Sequence, residues 1–118
     1  MPWLPEQIPP RLGQQSVALP DLGDGEGAWV RTDALAVIEA LRGSTVAVYA
    51  VALFEAAPVP GGYAPTEVGW KRDRKTHEEE EDYARRTHMG AATFICECEL
   101  PEDPSVFVLT FPANPDAA

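Results

Sequence analysis

The sequence predicts a small α+β domain: an antiparallel sheet with two helices packed on one face, in the order α-β-β-α-β. Three observations predict it. Residues 34–42 and 77–96 carry apolar side chains at helical spacing. Residues 46–55, 66–73 and 105–111 are rich in β-branched and aromatic residues or alternate with period two. At 118 residues the whole chain, 1–118, has room for one modest core and reads as a single domain.

Residues 1–20 hold Pro2, Pro5, Pro9, Pro10 and Pro20, which fix φ and remove backbone donors. They predict an extended, proline-rich arm with at most a short edge pairing. Trp3, Leu4, Ile8, Leu12, Val17 and Leu19 are too apolar for a free tail, so the arm is expected to lie on the domain. Leu22-Gly23-Asp24-Gly25-Glu26-Gly27 reads as a flexible loop. Asp24 and Glu26 would repel a phosphate, and the twelfth position from Asp21 is Thr32 rather than the Glu of a calcium loop.

Ala28-Trp29-Val30 reads as a short strand or a lead-in. Asp33 is the expected N-cap of the helix 34–42, with Leu35, Ile38 and Leu41 on one apolar face and Ala34 and Val37 beside it. Arg42 falls in its last turn and Gly43 supplies a left-handed residue after it. Residues 46–55 are apolar on both faces and predict a central strand. Pro58, Pro60, Gly61, Gly62 and Pro65 mark the connection to a half-exposed antiparallel strand, 66–73, with Val68, Trp70 and Arg72 on one face.

A charge reversal follows: Lys71-Arg72-Asp73-Arg74-Lys75, then Glu78-Glu79-Glu80-Glu81-Asp82. Thr76 and Glu79 have capping-box spacing, and Glu81–Arg85 and Asp82–Arg86 are i,i+4 pairs. The core stripe of this helix is expected at Tyr83, Thr87, Gly90, Ala91, Phe94 and Cys98, bordered by Ala84 and Ile95. In the last strand Val106 and Val108 face one way, and Phe107, Leu109 and Phe111 the other. Residues 113–118 are expected to be a disordered tail.

The net charge of −10 disfavours nucleic acid and an anionic membrane, both of which need clustered cations. No apolar run approaches the ~20 residues of a membrane span, and Met1-Pro2-Trp3-Leu4-Pro5 lacks the pattern of a signal peptide. Cys96-Glu97-Cys98 could close only a strained disulfide, so reduced thiols and a cytoplasmic location are expected.

His77, His88, Cys96 and Cys98 do not have structural-zinc spacing, and no metal or cofactor is expected. Core cysteines and surface histidines are the expectation. His88 and Cys96, eight apart on one helix, would stand about 12 Å apart and cannot touch. No nucleophile motif occurs, and the acidic run is a solvated face rather than a catalytic pair.

The stretch Pro65-Thr66-Glu67-Val68-Gly69-Trp70-Lys71-Arg72-Asp73-Arg74-Lys75-Thr76-His77-Glu78-Glu79, continued by Asp82-Tyr83-Ala84-Arg85-Arg86-Thr87 and Ala92-Thr93-Phe94-Ile95, resembles small α+β immunity proteins of bacterial polymorphic toxin systems. Gly69-Trp70 followed by mixed charges, the acidic helix start at Glu78 to Glu81, Tyr83, and the pair Phe94-Ile95 carry the resemblance. It covers about a third of the chain and departs in having no aromatic residue inside the acidic run.

The resemblance implies a cytoplasmic non-enzyme, monomer or homodimer, that binds and neutralises one cognate toxin, a basic protein by charge complementarity. The partner face expected is Glu78, Glu79, Glu81 and Asp82, outward carboxylates, beside Trp70 as aromatic anchor or else as core residue. The alternatives are a structural subunit that oligomerises through the strand 106–111 or the arm, and a small metal- or thiol-dependent enzyme.

Overall fold

The computed structural model describes residues 4–20, 22–101 and 104–112. The expectations for Trp3 and for a disordered 113–118 lie outside them. The elements are α1 (Pro10–Gln15), β1 (Glu26–Trp29), α2 (Arg31–Leu41), β2 (Ala50–Ala56), β3 (Tyr63–Lys71), α3 (Glu80–Glu97) and β4 (Ser105–Thr110). The strands form one four-stranded antiparallel sheet in the order β1-β4-β2-β3. The fold is α+β, as the sequence predicts, with α1 and β1 added to the expected order.

The main core lies between one face of the sheet and the helices. Trp29, Val51, Leu53, Phe107, Leu109 and Phe111 project from the sheet to meet Ala34, Val37, Ile38 and Leu41 of α2 and Ala91 and Ile95 of α3. On β4 the alternation holds: Val106 and Val108 face away from the helices, where Ala28 joins them. β4 bonds to β1 on one side and β2 on the other, so both its edges are used within the chain. A subunit contact through β4 as a strand edge is therefore closed off.

The arm is more ordered than proline content suggests. Pro9 and Pro10 sit at the start of α1, where a missing N–H costs nothing and φ is already helical. Ile8 and Leu12 enter the main core, and Leu12 O accepts a hydrogen bond from Trp29 Nε1 at 2.7 Å. The chain then rounds the β1 edge. Val17 N donates to Ala28 O at 2.7 Å, and Ala28 N donates to Ser16 Oγ at 3.2 Å. Val17, Leu19 and Leu22 pack over Ala28, Val106 and Val108 on the opposite face. One arm thus touches both faces of the sheet and satisfies its β1 edge.

Part of the segment read as a flexible loop is strand. Glu26 and Gly27 pair with Thr110 and Leu109. Gly27 is needed there because the buried Trp29 ring lies over it: a Cβ would fall 2.3 Å from the ring.

Helix α2 begins three residues before the expected start. Val30 is its N-cap and contributes no side-chain bond; Asp33 instead lies in the first turn, where a carboxylate suits the dipole. Arg31, at the first helical position, donates through its guanidinium to Cys98 O at the end of α3. Arg42 is the C-cap and Gly43 has φ 83°, the left-handed exit expected.

β2 starts at Ala50, not at residue 46. Residues 46–48 turn into the helix layer, where Val48 N donates to Thr87 Oγ1 at 3.0 Å and His88 Nε2 lies 2.6 Å from Val46 O, while Tyr49 already bonds toward both flanking strands, its N donating to Thr110 O at 2.8 Å and its O accepting from Arg72 N at 3.1 Å. β2 is central, as predicted, between β4 and β3. β3 is the exposed outer strand. Its ladder to β2 breaks between Ala52 and Phe54, and Thr66 Oγ1 fills the break, donating to Leu53 O and accepting from Val68 N.

Candidate functional site

The capping box at Thr76 and Glu79 does not form. The helix opens at Glu80 with Glu79 as an N-cap that makes no side-chain bond. His77 has φ 67°, which breaks the helix before it. Residues 75–78 form a turn: Glu78 N donates to Lys75 O at 3.0 Å, and Lys75 N donates to Glu78 Oε1 at 3.0 Å. Arg74 Nε adds a bond to Glu78 O at 2.8 Å.

Arg86 completes this turn. Its Nε donates to Glu78 Oε2 at 2.9 Å and its Nη2 to Glu78 Oε1 at 2.8 Å, a two-point charge-assisted pair. Nη2 also reaches Asp73 O at 2.9 Å, and the guanidinium stands 5.5 Å from the Tyr83 ring centre. The Arg86 guanidinium, with the Lys75 amide, holds the Glu78 carboxyl at about 2, well below the usual range. The Glu78 side chain is only 12% exposed. Its expected role as an outward carboxylate is corrected: it is committed to the strand–helix junction. The expected pair Asp82–Arg86 is corrected likewise, since Arg86 is taken by Glu78.

The remaining acids point outward. Glu79, Glu80, Glu81 and Asp82 are all exposed at the start of α3. Arg85 approaches Glu81 Oε1 at 3.6 Å, as expected, and Asp82 Oδ1 at 3.4 Å. Glu80 was outside the expected face and belongs to it by position.

Trp70 is half-buried. It packs against the main core, and its ring lies so close over Gly90 of α3 that a Cβ there would stand 2.6 Å from Trp70 Cζ2. Its Nε1 makes no hydrogen bond among the described residues, and the Arg72 guanidinium stands 5.2 Å from its ring centre. Arg72 O accepts from Tyr83 Oη at 2.7 Å, which ties the strand exit to α3. Burial, chiefly, raises the Tyr83 phenol.

The buried stripe of α3 is rotated from the expected one. Tyr83, Ala84, Thr87, His88, Ala91 and Ile95 are buried, while Gly90, Phe94 and Cys98 are half-buried. The cause is α2 and the 46–48 segment, which cover the Ala84–His88 flank; on the other flank Gly90 meets Trp70 at the sheet edge and Phe94 meets the ring of Phe107 at a centroid distance of 6.4 Å. His88, expected on the surface, is buried. Cys96, expected in the core, is exposed. Burial pushes the Cys98 thiol up, the direction opposite to that of an activated nucleophile. Among the described residues no group of three or more His, Cys, Asp or Glu side chains is placed to hold a metal ion.

Beside the acids, a groove of about 390 Å³ lies between the α2 exit loop and α3. Arg42, Gly43, Ser44 and Thr45 line one wall, and Glu81, Arg85, His88 and Met89 the other. Met89 is the most exposed large apolar side chain among the described residues, at 69%. The sequence held no sign of this groove, because it joins residues some forty positions apart.

No family model, no curated protein and no solved structure matches the chain. Among the described residues no helix is long and apolar enough to cross a membrane.

Proposed function

We propose that the chain is an immunity-like protein that binds and neutralises a basic cognate toxin in the cytoplasm of a bacterium. The observation that carries this reading is the set of exposed carboxylates Glu79, Glu80, Glu81 and Asp82, clustered on a chain with net charge −10. A basic protein would be drawn to that face and oriented by it. Trp70, whose Nε1 makes no hydrogen bond among the described residues, offers an aromatic contact from the β3 edge of the helical layer. Glu78 supports the site without touching the partner: it fixes the turn from which α3 starts.

The resemblance of residues 65–95 to polymorphic-toxin immunity proteins supports the same reading. The test is co-expression with the large product of the adjacent gene. Growth should be restored, and the purified pair should form a complex. Glu79→Lys with Asp82→Lys should weaken it about tenfold or more, chiefly through slower association, and added salt should narrow the difference. A toxic neighbour that kills with or without this chain, and forms no complex with it, overturns the reading.

A further inference from the structure

We infer that the open edge of β3 pairs with the β3 edge of a second copy of this chain, antiparallel about a two-fold axis at Gly69. The sheet has two outer strands, and they are treated differently. The arm bonds β1 through Ser16 and Val17, whereas β3 pairs with β2 alone among the described residues. Arg72 N donates to Tyr49 O at 3.1 Å, in the same register that sets Trp70 opposite Val51. Trp70 therefore bonds to β2, and Gly69 and Lys71, one residue to either side, turn their backbone N–H and C=O groups outward. Val68 N is taken by Thr66 Oγ1 on the β2 side, so Glu67 extends the outward set. Pro65, with no N–H, ends it. Glu67, Gly69 and Lys71 are all exposed.

This edge is complementary to itself. With Gly69 opposite Gly69 of the second copy, Glu67 faces Lys71 of the second copy and Lys71 faces its Glu67, two opposite-charge pairs on one face of the ladder. On the other face Val68 and Trp70 of each chain meet Trp70 and Val68 of the other, at non-bonded positions where side chains stand closest. Val68 is 43% exposed and Trp70 half-buried, so both have apolar surface to cover. Gly69 at the axis has no side chain to obstruct the approach. Lys71 O accepts from Arg72 Nη1 at 2.7 Å, and a carbonyl carries a second lone pair for the ladder. Lys71 Nζ lies 5.2 Å from the Tyr49 ring centre, an exposed contact that a carboxylate can join. A slip of two residues removes both charge pairs, and in one direction sets Glu67 against Asp73, so the charges select one register.

Sedimentation equilibrium of the full chain over a concentration series should show a reversible monomer–dimer balance with no larger species, since an isologous contact closes on itself. Glu67→Lys and Lys71→Glu should each weaken the dimer about tenfold, by setting like charges opposite at both ends of the ladder. Glu67→Lys does so even though it lowers the net negative charge of the chain. Mixing the two single variants, or combining both changes in one chain, should bring association back to within about threefold of native. Amide exchange at Gly69 should slow as the native chain is concentrated. A chain that stays monomeric up to about 1 mM, a dimer that neither single change weakens, or single variants that mixing does not rescue each overturn the proposal. The measurement needs no toxin, so it fails or succeeds independently of the neutralisation test.

Discussion

Glu78 and Trp29 show how much a single side chain decides here. Glu78 reads in the sequence as one of five equivalent acids, yet its carboxylate alone turns inward to Arg86. Because its carboxyl is lowered to about 2 from 4.5, its stabilisation is complete above the ordinary value and lost as pH falls through the folded one. Urea denaturation should therefore show the native chain losing stability more steeply than Glu78→Gln between about pH 4.5 and 2. Equal slopes would remove the inward role assigned to Glu78. Trp29 is wholly buried, and its ring occupies the space above Gly27. Gly27→Ala should cost about 1–3 kcal/mol in the same measurement, since a packed indole cannot move aside. A chain as stable as the native one would mean that the ring has room to shift.

At the scale of elements, α3 is held to the rest of the protein by a few polar links as well as by apolar packing. Thr87 is wholly buried; its Oγ1 accepts from Val48 N and donates to Ala84 O at 2.9 Å. Thr87→Val keeps the shape but orphans the buried Val48 amide, at a cost of about 1–3 kcal/mol. Thr87→Ser should lose much less, and equal losses in the two variants would assign the effect to packing. Helical spacing located α3 and its apolar side, because a 3.6-residue period is local information. It could not find which flank is covered, because that depends on α2 and on residues 46–48, far away in the chain. His88 therefore passed as a surface residue. The start of α3 was missed for a related reason: Thr76 and Glu79 had the spacing of a cap, but Arg86, eight residues beyond Glu78, drew that carboxylate into a competing turn.

At the scale of the molecule, the arm closes the sheet. It fills the main core with Ile8 and Leu12, bonds the β1 edge through Ser16 and Val17, and covers the second face with Val17, Leu19 and Leu22. Removing residues 1–22 should lower stability by more than about 3 kcal/mol, given about 1.5–3 kcal/mol for each buried aliphatic side chain. The bared β1 edge and the Ala28–Val106–Val108 patch should also make the shortened chain associate. Light scattering checks this; a shortened chain that stays monomeric and as stable as the native one contradicts the arm's role. The net charge acts at this scale too, as a field that favours basic partners and is screened within about 8 Å at physiological salt.

The sequence by itself determined the α+β class, the central position in the sheet of residues 50–55, though not the strand's start, the two faces of β4 and the exit of α2 at Gly43. Each depends on a local period or on one residue's backbone freedom, and those are properties of neighbours along the chain. Only the tertiary structure decided that a proline-rich arm clasps both faces of the sheet. It alone separated Glu78, which is spent on Arg86, from the outward Glu79, Glu80, Glu81 and Asp82, and it alone buried His88 in the wall of a groove. Those outcomes are settled by competition among distant groups for the same hydrogen bonds and the same buried space, and no spacing along the chain records who wins.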